Sequence, residues 1–212
     1  MKKKLCAFFI SICLFSFMLV SLAACASDEL EYAQAGANGL LYWKVYGIGS
    51  YKGKNIDIPK TYYGYEVKAI EADAFRNSHI TSVTLPETVI NIGERAFCAC
   101  SSLREVNMPQ IILPPYSPYY FYFGSYCFAF CTSLKKITIP ENVASLPMGV
   151  FQGCVSLKNI TLPKSLKTIE NYAFAYCDSL ETVYYSGTFY EFARIKIGEG
   201  NECLLKARFV FI

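Results

Sequence analysis

Pro140-Glu141-Asn142-Val143-Ala144-Ser145-Leu146-Pro147-Met148-Gly149-Val150-Phe151-Gln152-Gly153-Cys154-Val155-Ser156-Leu157-Lys158-Asn159-Ile160-Thr161-Leu162-Pro163 decides the fold, because the chain repeats it. From Pro163 the same order returns: Ile169, then Phe174, Cys177, Leu180 and the alternating close at Val183 and Tyr185. Working outward, prolines end the apolar segments at Pro86, Pro109, Pro140 and Pro163, in steps of 23, 31 and 23 residues, so the middle unit is one of 23 lengthened by eight. Ile92, Leu146 and Ile169 precede Phe97, Phe151 and Phe174. Cys100, Cys131, Cys154 and Cys177 follow Phe97, Phe128, Phe151 and Phe174, and Leu103, Leu134, Leu157 and Leu180 come next. A degenerate first copy carries Ile70, Ala74-Phe75, Val83 and Leu85, and runs one residue short before Pro86. Such self-similarity is the mark of a repeat architecture.

The unit has a physical reading. Lys135-Lys136-Ile137-Thr138-Ile139-Pro140 alternates polar and apolar, which predicts a short strand with one face inward, and the proline ends it because it has no N–H for a ladder. Glu170-Asn171-Tyr172-Ala173-Phe174 predicts a tight helical or turn segment on the opposite side. One copy cannot bury its own apolar face, whereas coils stacked about 4.8 Å apart bury each other's. The expectation is a β-rich solenoid of about five coils, with its open ends covered.

The order Pro-x-x-Val-x-x-Ile-x-x-x-Ala-Phe-x-x-Cys-x-Ser-Leu-x-x-Ile-x-Leu-Pro resembles the BspA-like leucine-rich repeat of bacterial and some protozoan surfaces, most closely over Pro140–Pro163 and Pro163–Tyr185. The resemblance extends over residues 40–212. It implies an N-terminal cover at 40–58, repeats at 59–185 and a C-terminal cover at 186–212. It also implies a part in adhesion to host proteins or other microbes.

The N-terminus reads as an address. Lys2-Lys3-Lys4, the apolar run Leu5–Val20 and the ending Leu22-Ala23-Ala24-Cys25 form a signal peptide over 1–24, similar to the lipobox of bacterial lipoproteins. Cys25 is then the acylated residue, 25–39 a tether, and the protein is exported and held to a membrane by its lipid. The formal charge of +3 comes entirely from those three lysines, since 17 other basic residues balance 17 acidic ones. Nothing resembles a basic stripe for nucleic acid.

Enzyme signatures are absent: there is no nucleophile elbow, P-loop, dinucleotide fingerprint or His-Glu-x-x-His. The single histidine, His79, is expected in a solvated turn, and Glu66, Glu71 and Asp73 on ordinary solvated turns. Asn159-Ile160-Thr161 matches a glycosylation acceptor but lies within a predicted strand. Of ten cysteines, Cys6 and Cys13 fall in the leader and Cys25 is the lipid acceptor, leaving seven, which cannot all pair within the chain. The 23-residue phase spreads Cys100, Cys131, Cys154 and Cys177 along the stack rather than around one metal ion, so they are expected as small buried thiols. Neither cofactor nor metal is expected.

Two surfaces remain for a ligand. One is the outward sheet face, with Ser82, Thr84, Glu105, Asn107, Lys136, Thr138, Asn159, Thr161, Thr182 and Tyr184. The other is the insertion, placed at 111–125, whose Tyr116, Tyr119, Tyr120, Phe121, Tyr122 and Phe123 stand behind Pro114, Pro115 and Pro118. Insertions in repeat arrays map to loops on one face, and clustered tyrosines give contact area at little entropic cost. These six rings are expected either to bind a protein or glycan ligand or to cover the coil edge. The function expected is adhesion or recognition at the cell surface; the alternative is a non-catalytic scaffold or accessory subunit of an envelope complex.

Overall fold

The computed structural model describes residues 30–37, 40–109 and 121–212. Strand β1 (Glu31–Ala37) precedes a first turn built from β2 (Leu40–Gly47) and β3 (Asn55–Asp57). A short hairpin strand, β4 (Thr61–Tyr62), leads into the second turn, β5 (Tyr65–Ile70) and β6 (Ser82–Thr84). The third turn is β7 (Asn91–Ile92) and β8 (Glu105–Asn107), and the fourth β9 (Tyr122–Phe123) and β10 (Lys136–Thr138). The fifth is β11 (Ser145–Leu146) and β12 (Asn159–Leu162), and the sixth β13 (Thr168–Ile169) and β14 (Thr182–Tyr185). The last contains α1 (Phe189–Phe192), β15 (Lys196–Ile197), α2 (Glu202–Lys206) and β16 (Arg208–Phe211).

Each turn sets one strand in each of two parallel columns. One runs β2-β5-β7-β9 and then β11-β13-β15; the other runs β3-β6-β8 and then β10-β12-β14-β16. The 23-residue period is the register itself: Lys136 faces Asn159, which faces Thr182, and Ile137, Ile160 and Val183 line up inward. The lengthened unit shows as Asn91 facing Tyr122. At this unit both columns lose their pairing, between β8 and β10 and between β9 and β11.

A third column does not break. In each turn segment alternate amides bond within the turn and to the next turn, so the backbone is satisfied without regular secondary structure. Tyr126, Phe128 and Phe130 donate to the carbonyls of Met148, Val150 and Gln152 at 3.0, 3.0 and 2.7 Å, across the level where the strands part. Cys127, Ala129 and Cys131 instead bond back to Gly124, Tyr126 and Phe128. This geometry requires left-handed residues two before and two after each phenylalanine: Asp73 and Asn77, Arg95 and Ala99, Tyr126 and Phe130, Gly149 and Gly153, Tyr172 and Tyr176. Of these, Gly149 and Gly153 meet the requirement without steric cost.

Inside, Phe75, Phe97, Phe128, Phe151 and Phe174 stack with successive centroid distances of 5.0, 5.2, 5.9 and 5.6 Å. Leu103, Leu134, Leu157 and Leu180 form a parallel buried file. Burying a side chain of this size contributes about 1.5–3 kcal/mol, and no single turn achieves it alone.

Three expectations are corrected. The described residues make seven turns rather than about five, because both covers continue the parallel pairing: β2 joins β5, and β15 and β16 join β13 and β14. The tether does not extend to residue 39, because β1 pairs antiparallel with β2 (Gln34 opposite Trp43) and closes its open edge. The insertion is narrower than 111–125, because Tyr122–Phe123 is a ladder strand and the Ser125 carbonyl accepts from Arg95 N at 3.0 Å.

Candidate ligand-binding surfaces

The thiol file shows what its residues can and cannot do. Each phenylalanine carbonyl accepts the amide three residues on, and in the inner turns its second lone pair takes the cysteine thiol of the following turn. Cys100, Cys131, Cys154 and Cys177 Sγ donate to Phe75, Phe97, Phe128 and Phe151 O at 3.0, 3.2, 3.2 and 3.2 Å. A small buried donor is therefore needed there, and Ser78 occupies the equivalent place in the degenerate copy, 3.3 Å from Cys100 Sγ. Burial raises Cys100 to about 11 and Cys154 to about 12, and pushes Cys127, Cys131 and Cys177 up as well. Burial thus favours the protonated thiol, the form that donates to the phenylalanine carbonyl. The described cysteines are unpaired, and no three metal-ligating side chains converge among the described residues.

The carboxylates are separated by their partners. Glu66 bonds Lys68 and Glu71 bonds Lys44, both at 3.0 Å, while Asp73 takes Arg95 Nε at 3.1 Å and Arg76 at 3.3 Å. Arg95 holds the Asp73 carboxyl below its ordinary value, with burial opposing. His79 is exposed.

On the sheet face, Thr84, Glu105, Asn107, Lys136 and Thr138 are exposed, and Ser82, Asn159, Thr161 and Tyr184 partly so. Thr182 is an exception: it is buried at 7% exposure.

The insertion divides. Tyr116, Tyr119 and Tyr120 lie outside the described residues, as do the leader and Cys25. Phe121 and Phe123 are core residues at 2% and 7% exposure, their centroids 5.0 Å apart, with Phe123 edge-on to Phe128 at 6.2 Å. They are not open to a ligand, which corrects the reading of all six rings as a binding cluster. Tyr122 between them is 61% exposed. The in–out–in order is that of a strand, and the alternation Phe121-Tyr122-Phe123 already carried that signal.

Two features escaped the sequence reading. Asn201, 2% exposed, ends the turn ladder: its Oδ1 accepts Phe174 N at 2.9 Å, and its Nδ2 donates to Glu170 and Gly198 O at 2.9 and 2.8 Å. It does with a side chain what the next turn's backbone does for the other phenylalanines. The second is the aromatic occupancy of the left-handed positions, for which Gly149 and Gly153, two either side of Phe151, were the available signal.

The sequence profile of the BspA type leucine rich repeat region matches this chain in six copies, over residues 47–122 and 115–194. The chain belongs to this family. Among solved structures, BspA-type repeats here are similar to a leucine rich repeat protein of T. pallidum, 24% identical, covering 81% of this chain and 79% of that one with a TM-score of 0.63. A leucine rich cell surface protein from Faecalibacterium prausnitzii is 26% identical over 93% of this chain and 55% of its own, with a TM-score of 0.56. The pneumococcal vaccine antigen PcpA, 19% identical with a TM-score of 0.59, is covered to 45% by 82% of this chain, and shares the fold. The chain thus spans about half the length of the latter two. The curated proteins hold no match to it.

Proposed function

We propose that this protein is exported, anchored to a membrane through a lipid on Cys25, and recognises a protein or glycan at the cell surface by binding rather than catalysis. The observation that carries the reading is the run of BspA-type copies behind Leu22-Ala23-Ala24-Cys25. The likeness to a protein described as a cell surface protein, at 26% identity, supports the location. On β9, Tyr122 presents its ring to solvent, and Tyr116, Tyr119 and Tyr120 of the preceding insertion are the residues proposed to act with it. Aromatic anchors at interfaces are worth about 2 kcal/mol or more when a partner covers them.

Two experiments test this. Cys25→Ser is expected to abolish palmitate labelling and to move the protein out of the detergent phase; unchanged partitioning and an unlabelled wild type would sink the anchor. Changing Tyr116, Tyr119, Tyr120 and Tyr122 to Ala is expected to abolish binding on an array of glycans and matrix proteins while the melting temperature holds. Unaltered binding by the folded variant moves recognition elsewhere.

A further inference from the structure

The turn column carries a second surface. Its left-handed positions change character along the stack: Asp73 and Arg95 form a two-pronged ion pair in the early turns, with Arg95 Nε and an Nη at 3.1 and 3.3 Å from the two carboxylate oxygens. From the fourth turn the occupants are Tyr126 and Phe130, then Gly149 and Gly153, then Tyr172 and Tyr176, with Gly200 following in the seventh. Bulky side chains rarely accept a positive φ, yet these four rings hold φ of 58–60°. The same backbone recurs at Asp73, Asn77, Arg95 and Ala99, so what sets these four positions apart is the ring they carry.

The rings are also seated. A methyl placed on Gly149 would lie 2.2 Å from Tyr126 Cε1, one on Gly153 2.5 Å from Phe130 Cδ1, and one on Gly200 2.2 Å from Tyr172 Cδ1. Tyr126, Phe130 and Tyr172 therefore lie over the bare backbone of the following turn, in the space a Cβ on the glycine would take. Phe130 and Tyr172 keep 46% of their surface exposed and Tyr176 64%. The phenylalanine file beneath advances 5.9 and 5.6 Å over these two turns, so the two ring pairs stand two turns apart along the stack.

Charge narrows the partner. Segments 124–134, 147–157, 170–180 and 198–205 contain no lysine or arginine, but hold Glu170, Asp178, Glu199 and Glu202. An anionic polymer or lipid surface is disfavoured there. Rings recurring on one edge two turns apart, with no basic residue in these segments, suit an uncharged chain that offers an apolar face at every second unit. We infer that Tyr126, Phe130, Tyr172 and Tyr176 form a binding strip for an extended β-1,4-linked polysaccharide, two sugar units spanning the interval between ring pairs. This strip is separate from the insertion proposed above.

Affinity electrophoresis of the full chain through gels containing hydroxyethyl cellulose tests it, with soluble starch as the α-linked control. Retardation by the β-linked polymer alone, unaffected by salt, is expected. Tyr172→Gly with Tyr176→Gly should reduce it at least tenfold with the melting temperature unchanged or raised, since the fold already accepts glycine at these positions in the fifth turn. Tyr190→Ala, an exposed ring on α1 outside both surfaces, should leave it unaltered; retardation lost on Tyr122→Ala but kept in the double variant would assign the polymer to the insertion and refute the strip. The strip is refuted by absence of retardation, by equal retardation in starch, by a large fall in melting temperature of the double variant, or by a matrix protein rather than the polymer depending on these rings.

Discussion

Replacing Asn201 by alanine removes the group that finishes the turn ladder, and the structure sets the size of the effect. Phe174 N loses its acceptor at 2.9 Å, and no backbone carbonyl follows in the next turn to replace it. A buried donor left unpaired costs about 1–3 kcal/mol. The Glu170 carbonyl retains only a 3.4 Å bond from Ala173 N, and Gly198 O loses a 2.8 Å bond, each lost bond being worth about 0.5–1.5 kcal/mol net. Asn201→Ala is therefore expected to cost about 3–5 kcal/mol, a fall in Tm of roughly 6–20 °C for a chain of this size. Asn171 provides the control: its Oδ1 accepts Glu199 N at 3.0 Å near the surface, so Asn171→Ala should cost about 1 kcal/mol or less. Urea and thermal unfolding followed by circular dichroism measure both. If Asn201→Ala loses no more than Asn171→Ala, the side chain does not terminate the ladder and the seventh turn is held by its apolar residues alone.

Other expectations rest on the thiols and on the C-terminal turn. Cys154→Ala leaves a small cavity and withdraws a donor from Phe128 O, so it should cost about 1–2 kcal/mol; Cys154→Ser keeps a donor and should cost less, and equal losses on denaturant titration would show the hydrogen bond to be irrelevant. Because burial raises the folded Cys154 value to about 12, its share of stability is intact below the ordinary thiol value near 9 and is lost as pH rises from there through 12. Wild type should consequently lose ground against Cys154→Ala in alkaline melts, and parallel curves would contradict the buried neutral thiol. Glu191 is held down to about 2, first by the Thr188 backbone N–H and then by Lys164 and the Thr188 hydroxyl. Its stabilisation is present above the ordinary carboxylate value near 4.5 and disappears as pH falls toward 2, so Glu191→Gln should melt lower at neutral pH and converge with wild type near pH 2.

The solenoid was legible because its period is written in residues that all face inward. Phe97, Phe128, Phe151 and Phe174 stack on one another, so each must recur in phase, and the same holds for the thiols that cap their carbonyls. The end turns were not legible as turns, since they keep the backbone pairing without that file: Thr168 faces Lys196, 28 positions on, and no phenylalanine joins the stack beyond Phe174. Asn201 was hidden for a related reason, as a side chain standing in for a carbonyl leaves no periodic trace. In the insertion, aromatic content alone did not separate Phe121 and Phe123, which fill the core, from Tyr122, which faces water.

The division between inward and outward columns also explains how one scaffold can carry different surfaces. Turn spacing is fixed by the phenylalanine stack, the thiol bonds and the alternate amides, none of which involves the side chains two residues either side of each phenylalanine. Those positions are constrained in backbone, by their left-handed φ, but not in chemistry: they hold an aspartate–arginine pair in the second and third turns, tyrosine and phenylalanine in the fourth, bare glycine in the fifth and tyrosines in the sixth. The strand columns behave differently, because there an outward residue still touches its neighbours in register, and their pairing lapses between β8 and β10 and between β9 and β11. The turn ladder crosses that level intact, through Tyr126, Phe128 and Phe130. A surface on this edge can therefore run continuously across that level, whereas one on the sheet crosses strands that are not paired there.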